Sequence, residues 1–285
     1  MLPNFLVLGA QKAGTTTLAR FFELHRSIFI PPQRETQFFI HPHLYSKGIA
    51  HYETHFFSAW SGEPVVGEKT PEYLVGQGVT SRIAAMLPHP LKFIVCLRSP
   101  AARAHAGYRQ NLAMARECLS FEASLDLEPS RVARGTAYLT TFGYAARSMY
   151  AHQIRNWISA IPDFREQALF VDFDDLVERQ QSVLANVAGF LGVEPLNLEA
   201  PLHEGQTSTS KCPLSVEGDA VFWRGRRVNS PSEGLVEFAR KNAAARLTAT
   251  PLSRAEEIAL NRKLFHKDIK ELEVYISRSF SHWLD

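Results

Sequence analysis

Residues 5–22, FLVLGAQKAGTTTLARFF, constrain the fold more than any other stretch of the chain. Phe5, Leu6, Val7 and Leu8 form an apolar run that reads as a buried strand. A loop of small residues follows from Gly9 to Gly14. Thr15, Thr16, Thr17 and Leu18 then open a stretch with helical apolar period. Strand, glycine-bounded loop and helix N-terminus, in that order, make an anion cradle. The N–H groups of a first helical turn have no intrahelical partner, and the helix dipole favours negative charge there. A phosphate is therefore expected at Lys12, Ala13, Gly14, Thr15 and Thr16, with Thr17 in the same turn.

The position of the lysine narrows the kind of phosphate. An NTPase loop reads G-x-x-x-x-G-K-[ST], with its lysine after the second glycine and a hydroxyl for Mg²⁺. Gly9 and Gly14 keep that spacing, but Thr15 stands where the lysine belongs, and the loop's only lysine, Lys12, is interior. A lysine there sits beside a 5′-phosphate group rather than beyond it. The plainer alternative is an ordinary strand-to-helix turn with a surface lysine.

Composition bounds what can surround this loop. The 285 residues, 45% hydrophobic and 21% charged, suit one large α/β domain or two small ones. A net charge of +2 gives no general affinity for polyanions, so no nucleic-acid partner is expected and any anion site must come from local clustering. Cys96, Cys118 and Cys212 are too scattered for a metal pattern or a disulfide set, and Cys96 reads as a core thiol. No apolar run approaches the length of a membrane span. Met1 leads within four residues into the first strand, without a basic and then apolar leader. A soluble, cytoplasmic protein is the expectation. The oligomeric state is not legible.

Four further stretches bear chemistry. Residues 27–39, SIFIPPQRETQFF, are kept from helix by Pro31-Pro32 and carry Glu35 beside Phe38-Phe39. That glutamate is either a solvated surface group or a general base on a partly apolar edge, which would raise its pKa toward working pH. Residues 67–73, GEKTPEY, follow Val65-Val66 and place Lys69 at a strand end. Residues 92–108, KFIVCLRSPAARAHAGY, give a continuous apolar strand over Phe93–Leu97 with Arg98 at its carboxyl end, where ligands of open α/β sheets bind. Arg98 and Arg103 are planar forks suited to a phosphate. His41, His43, His51 and His55 crowd one stretch without a recognisable metal spacing, so acceptor contacts or plain surface are expected there.

These motifs resemble those of sulfotransferases that use 3′-phosphoadenosine 5′-phosphosulfate (PAPS), above all the heparan sulfate 3-O- and N-sulfotransferase branch. The opening loop is similar to the family's 5′-phosphosulfate loop. Glu35-Thr36-Gln37-Phe38-Phe39, followed by Tyr45-Ser46-Lys47-Gly48, resembles the E-x-[HQ]-F-F segment that carries the catalytic glutamate. Gln37 matches the N-sulfotransferase form. Lys69 lies in a match to E-K-[ST]-P-x-Y, whose lysine contacts donor and acceptor. Arg98, Pro100, Arg103 and Tyr108 fit the 3′-phosphate segment R-x-P-x-x-R-x-x-S-x-Y, but Ala106 replaces its serine, with His105 next door. Arg224-Gly225-Arg226, in a basic loop over residues 211–231, resembles a K-G-R loop that closes over the 3′-phosphoadenosine.

The resemblance implies a single α/β domain over residues 1–285, with a central parallel sheet flanked by helices and a P-loop-like 5′-phosphosulfate-binding loop. It implies transfer of a sulfuryl group from PAPS, releasing 3′,5′-ADP (PAP), without a metal. The acceptor would be a hydroxyl or amine of a glycan or small molecule. Glu35 would be the base, with Lys12 and Lys69 beside the reacting groups. A P-loop-type kinase or NTPase, and a non-catalytic nucleotide-binding module, are the alternatives.

Elsewhere, residues 111–141 are expected as a helical excursion bordering an acceptor cleft. Residues 143–157 read as a helix, 168–173 as a strand, and Asp174-Asp175-Leu176 as a capped helix start. Residues 182–191 read as an amphipathic helix, and 253–283 as a helical pair packing Leu260, Leu264, Phe265, Leu272 and Tyr275.

Overall fold

The computed structural model describes residues 1–88, 90–202 and 212–285. The described residues form two compact units, one within 1–99, 149–202 and 267–281, the other within 100–148, 212–266 and 282–285.

The first unit is built on a parallel five-stranded sheet of order β2-β3-β1-β4-β5. Its strands are β1 (Phe5–Gly9), β2 (Ile28–Phe29), β3 (Val65–Lys69), β4 (Lys92–Leu97) and β5 (Ala168–Asp172). Helices flank it: α1 (Thr15–Leu24), Gly48–Phe56, Val79–Met86, Tyr150–Ala160 and Gln180–Leu191. β1 is central because every residue from Phe5 to Gly9 is buried, which suits a strand covered on both faces. Its partners are in register at Phe5↔Gly67 and Leu6↔Glu68 on one side and Phe5↔Lys92 and Leu6↔Phe93 on the other.

Aromatic rings fill the layers. Phe5 meets Phe22 of α1 at 5.1 Å, and Phe93 meets Trp157 at 5.6 Å and Phe164 at 5.2 Å. Cys96 lies in this core, and burial pushes its thiol up to about 12, so it is an inert packing group. No helix among the described residues is long and apolar enough to cross a membrane.

The second unit holds the helices Pro100–Ala113, Phe121–Val132, Thr136–Phe142, Glu233–Thr248 and Arg254–Leu260. It also holds a small antiparallel sheet, β6 (Leu214–Glu217), β7 (Ala220–Trp223) and β8 (Arg226–Arg227). Leu214, Val221 and Ala239 form its core, with Val216, Val228, Leu235, Val236 and Phe238 against them. Glu117, 1% exposed, is paired with Arg131 at 2.5 Å and accepts from Tyr144 Oη at 3.1 Å.

Several boundaries differ from expectation. The basic loop is a β-hairpin, because alternating Leu214, Val216 and Val221 outweigh the arginines that dominate its composition; Lys211, its expected start, lies outside the described residues. The helix expected from residue 143 is a 3₁₀ turn (Ala146–Ser148) and a helix from Tyr150, since Gly143 leaves helical geometry at ψ 72. The cap before Phe173–Glu178 is Asp172, whose Oδ1 accepts from Asp174 N–H at 3.0 Å. Leu264 is exposed rather than packed, since residues Asn261–Phe265 form a π turn that shifts the apolar face by one position.

Gly67 has a packing reason. A Cβ there would stand 2.2 Å from the ring of Phe5. Gly67→Ala is expected to cost roughly 1–3 kcal/mol, read as a lower denaturant midpoint with the slope unchanged; a midpoint equal to the parent's would mean that Phe5 moves aside freely.

Candidate active site

A cation stands after each of three adjacent strands at the carboxyl edge of the parallel sheet. Lys12 lies in the loop after β1, Lys69 ends β3, and Arg98 follows β4 directly. Backbone bonds fix this edge. Ala10 N–H donates to Cys96 O at 2.7 Å, Leu74 N–H to Leu8 O at 2.8 Å, and Thr70 N–H to Val7 O at 3.2 Å. The Arg98 guanidinium donates to the Lys12 carbonyl at 3.2 Å and lies 4.4 Å over the ring of Phe173.

The cradle expected between β1 and α1 is present. Lys12 takes φ 72, and Gly14 is the N-cap of α1 at φ 90. A Cβ at Gly14 would lie 2.6 Å from Leu176 Cδ2, so both the conformation and the close approach require glycine. Helix α1 has no side-chain cap and no acidic residue in its first turn. The N–H groups of Thr15, Thr16 and Thr17 and the positive end of the dipole therefore suit an anion brought from outside. Ala13, Thr15 and Thr17 are buried and Thr16 is half-buried, so the turn offers mainly its backbone.

Glu35 and Lys69 meet. Lys69 Nζ lies 2.5 Å from Glu35 Oε1; the lysine side chain is 3% exposed and the glutamate 36%. A buried ammonium needs a counter-charge, and Glu35 supplies it. The segment that carries Glu35 is docked on the end of β3. Lys69 N–H donates to Arg34 O at 3.3 Å, Gln37 N–H to Thr70 Oγ1 at 3.3 Å, and Phe39 N–H to Tyr73 Oη at 3.3 Å. Arg34 and Gln37 turn the chain at φ 57 and 53. The Arg34 guanidinium grips Glu23 of α1 at 2.5 and 2.8 Å. Phe38 and Phe39, both fully buried, pack on Tyr52 at 4.6 and 5.2 Å. Of the nearby histidines, His41 bonds Gln37 Oε1 at 3.0 Å, and His51 stacks on His55 at 4.9 Å.

One group here escaped the sequence reading. Glu68 precedes Lys69 in β3 and is 0% exposed. Burial raises its carboxyl to about 7, against the hydroxyls of Thr36, Tyr73 and Tyr52, which favour the charged form. The signal was a glutamate inside a five-residue strand whose neighbours Val65 and Val66 are apolar, masked by the polar residues that follow.

The other expected donor contacts belong to the second unit. Arg103 is 1% exposed, and its guanidinium donates to Tyr144 O and Ser148 Oγ, both at 3.3 Å. The helix from Pro100 turns it inward, so it braces residues 144–148 rather than presenting the open fork expected of a phosphate ligand. His105 packs edge-on against Phe121 at 4.9 Å. Arg224 and Gly225, at φ 52 and 75, are the two-residue turn between the paired Trp223 and Arg226, a primed hairpin turn. Arg224, Gly225 and Arg226 are exposed.

Residues 2–208 match the sulfotransferase domain family. The chain belongs to that family. It is 30% identical over 218 residues to heparan sulfate glucosamine 3-O-sulfotransferase 3B1 of Mus musculus, covering 76% of this chain and 53% of that protein. It is 26% identical over 221 residues to the bifunctional heparan sulfate N-deacetylase/N-sulfotransferase 1 of Caenorhabditis elegans, covering 75% and 25%. Among solved structures, a sulfotransferase from Alicyclobacillus acidocaldarius superposes with a TM-score of 0.70 at 26% identity, over 100% of both chains. The chain spans about half the length of the first of these curated relatives.

The raised carboxyl of Glu68 sets a pH dependence. Above its ordinary value of 4.5 and up to about 7, the folded protein holds a proton that the unfolded chain releases. Stability contributed by this group is full below pH 4.5 and is lost as pH rises through 7, by up to roughly 3 kcal/mol. Thermal melts from pH 5 to 8 are expected to fall more steeply for the parent than for Glu68→Gln; parallel curves would mean that the carboxyl does not titrate in this range.

Proposed function

We propose that this sulfotransferase moves a sulfuryl group from PAPS to a hydroxyl or amine of a glycan or small-molecule acceptor, without a metal. The observation that carries the reading is the Glu35–Lys69 pair at the carboxyl edge of the sheet that also bears the α1 cradle. A candidate base and two cations thus share one edge with an anion site. The cradle fits the donor's 5′-phosphate: a glycine whose Cβ position is filled, and an uncapped helix N-terminus with no acidic residue in its first turn.

In this reading the N–H groups of Gly14, Thr15, Thr16 and Thr17, with Ala13 beneath them, hold the 5′-phosphate. Arg98 donates to the Lys12 carbonyl and brings its guanidinium to the same edge as a phosphate contact. The donor supplies a sulfuryl group on a mixed phosphate–sulfate anhydride. Glu35 takes the proton of the acceptor O–H or N–H as the bond to sulfur forms. The sulfur–oxygen bond to phosphate breaks, and its electron pair leaves on the phosphate oxygen, where Lys12 meets the growing charge. Lys69 orients Glu35 and would help hold the sulfuryl group and the acceptor beside it.

The exposed turn of Arg224, Gly225 and Arg226 is a further phosphate contact on family resemblance alone. Residues 1–285 are proposed to work as one sulfotransferase domain. The curated relatives act, by their names, on heparan sulfate, which makes a glycan the first acceptor to try.

Transfer of ³⁵S from labelled PAPS to a panel of desulfated glycans, alcohols and amines tests the assignment. Lys12→Ala and Glu35→Gln are each expected to lower kcat on the order of 10²-fold or more. Turnover near the parent's in Glu35→Gln removes that residue from the base role.

A further inference from the structure

Beneath the Glu35–Lys69 pair lies a polar cluster that the proposed chemistry does not use. Glu68, Tyr52 and Tyr73 are fully buried and Thr36 is 4% exposed. They come from β3, the helix Gly48–Phe56, the turn after β3 and the segment that carries Glu35. Among the described residues, no hydrogen bond of ordinary length and angle reaches either Glu68 oxygen or Tyr52 Oη. Leaving a buried carboxylate and a buried phenol without partners is costly, and each is the group nearest to hand for the other.

A proton count fixes what the cluster can do. Thr36 Oγ1 accepts from Phe38 N–H at 3.2 Å, and Tyr73 Oη accepts from Phe39 N–H at 3.3 Å. Each hydroxyl oxygen thereby accepts from the backbone that follows Glu35. They also lie 3.0 Å apart, and that contact consumes one of their two protons. One proton of the Thr36–Tyr73 pair and the proton of Tyr52 remain, and both suit an acceptor that cannot donate. An ionised Glu68 is such an acceptor. The titratable groups that act on it are the neutral phenols of Tyr52, from the helix, and Tyr73, from the turn after its own strand; Lys69, next in sequence, is paired with Glu35.

We propose that Glu68 is a positioning residue: its ionised carboxylate gathers the hydroxyl protons of Tyr52 and of the Thr36–Tyr73 pair, and so holds residues 36–39 in the conformation that aims Glu35. Protonated, Glu68 loses its charge and turns one oxygen into a donor, so it holds the two hydroxyl protons more weakly and its own proton needs an acceptor that the cluster does not otherwise supply. The placement of Glu35 is then sensitive to pH through a group that never touches substrate. This rests on the sulfuryl-transfer reading only for its effect on turnover.

Hydrogen exchange on the full chain tests the positioning without needing an acceptor. In the parent, protection factors at the Phe38 and Phe39 amides are expected to rise between pH 6 and 8. In Glu68→Gln they are expected to be flat and at least tenfold lower at pH 8, with β1 and β4 as protected as in the parent. Tyr52→Phe, which deletes one hydroxyl, gives the same result more weakly and serves if Glu68→Gln fails to fold. In sulfate transfer to whichever acceptor the parent uses, kcat of Glu68→Gln falls about tenfold above pH 7, while the Kd for 3′,5′-ADP stays within twofold. Glu68→Asp restores part of the pH dependence.

Unchanged protection at Phe38 and Phe39 in both variants overturns the proposal. So does a loss of 3′,5′-ADP affinity as large as the loss in kcat. A parent that binds no 3′,5′-ADP defeats the donor reading instead, and the exchange data still decide the role of Glu68.

Discussion

A lysine ammonium buried at the end of a central strand is the constraint on which the rest of this site depends. Lys69 is 3% exposed, so its charge must be answered within reach of its own side chain. The answer comes from Glu35, 34 residues earlier. That demand draws the segment after β2 across the end of β3 and sets its register, with the Arg34 carbonyl on Lys69 N–H and the Gln37 amide on Thr70. The two positive φ angles of the segment persist because these bonds, the Arg34–Glu23 grip and two buried phenylalanines over-determine it.

The same edge of the sheet gathers cations from three neighbouring strands. Parallel strands direct their carboxyl ends to one side, so Lys12, Lys69 and Arg98 share that side by topology rather than by sequence proximity. Helix α1 adds its dipole and its first-turn amides. An anion at that edge therefore meets fixed donors, and fixed donors stabilise developing charge better than water does because they need no reorganisation. Membership of the sulfotransferase family fits this arrangement.

The parts of the fold legible in the sequence were those written in local pattern. The apolar runs of β1 and β4 and the spacing of Gly9 and Gly14 located the sheet centre and the cradle. Glu35, Lys69 and Arg98 were legible as motif positions, yet the contact between Glu35 and Lys69 was not, since nothing local shows that a lysine in GEKTPEY is buried. Arg103 has the right spacing from Arg98, but helix geometry turns it inward onto Tyr144 and Ser148. Glu68 was passed over because its burial is tertiary, made by Tyr52 and Tyr73 from elsewhere in the chain. The hairpin over Leu214–Arg227 was hidden by its arginines, although Leu214, Val216 and Val221 carry the strand period.

The claim that this edge grips a doubly phosphorylated adenosine without magnesium is tested most directly by calorimetry of the purified protein with 3′,5′-ADP, AMP and ATP, each with and without Mg²⁺. The account predicts binding of 3′,5′-ADP at least tenfold tighter than AMP and indifferent to Mg²⁺. Equal affinity for 3′,5′-ADP and AMP, or binding of ATP that requires Mg²⁺, would contradict it.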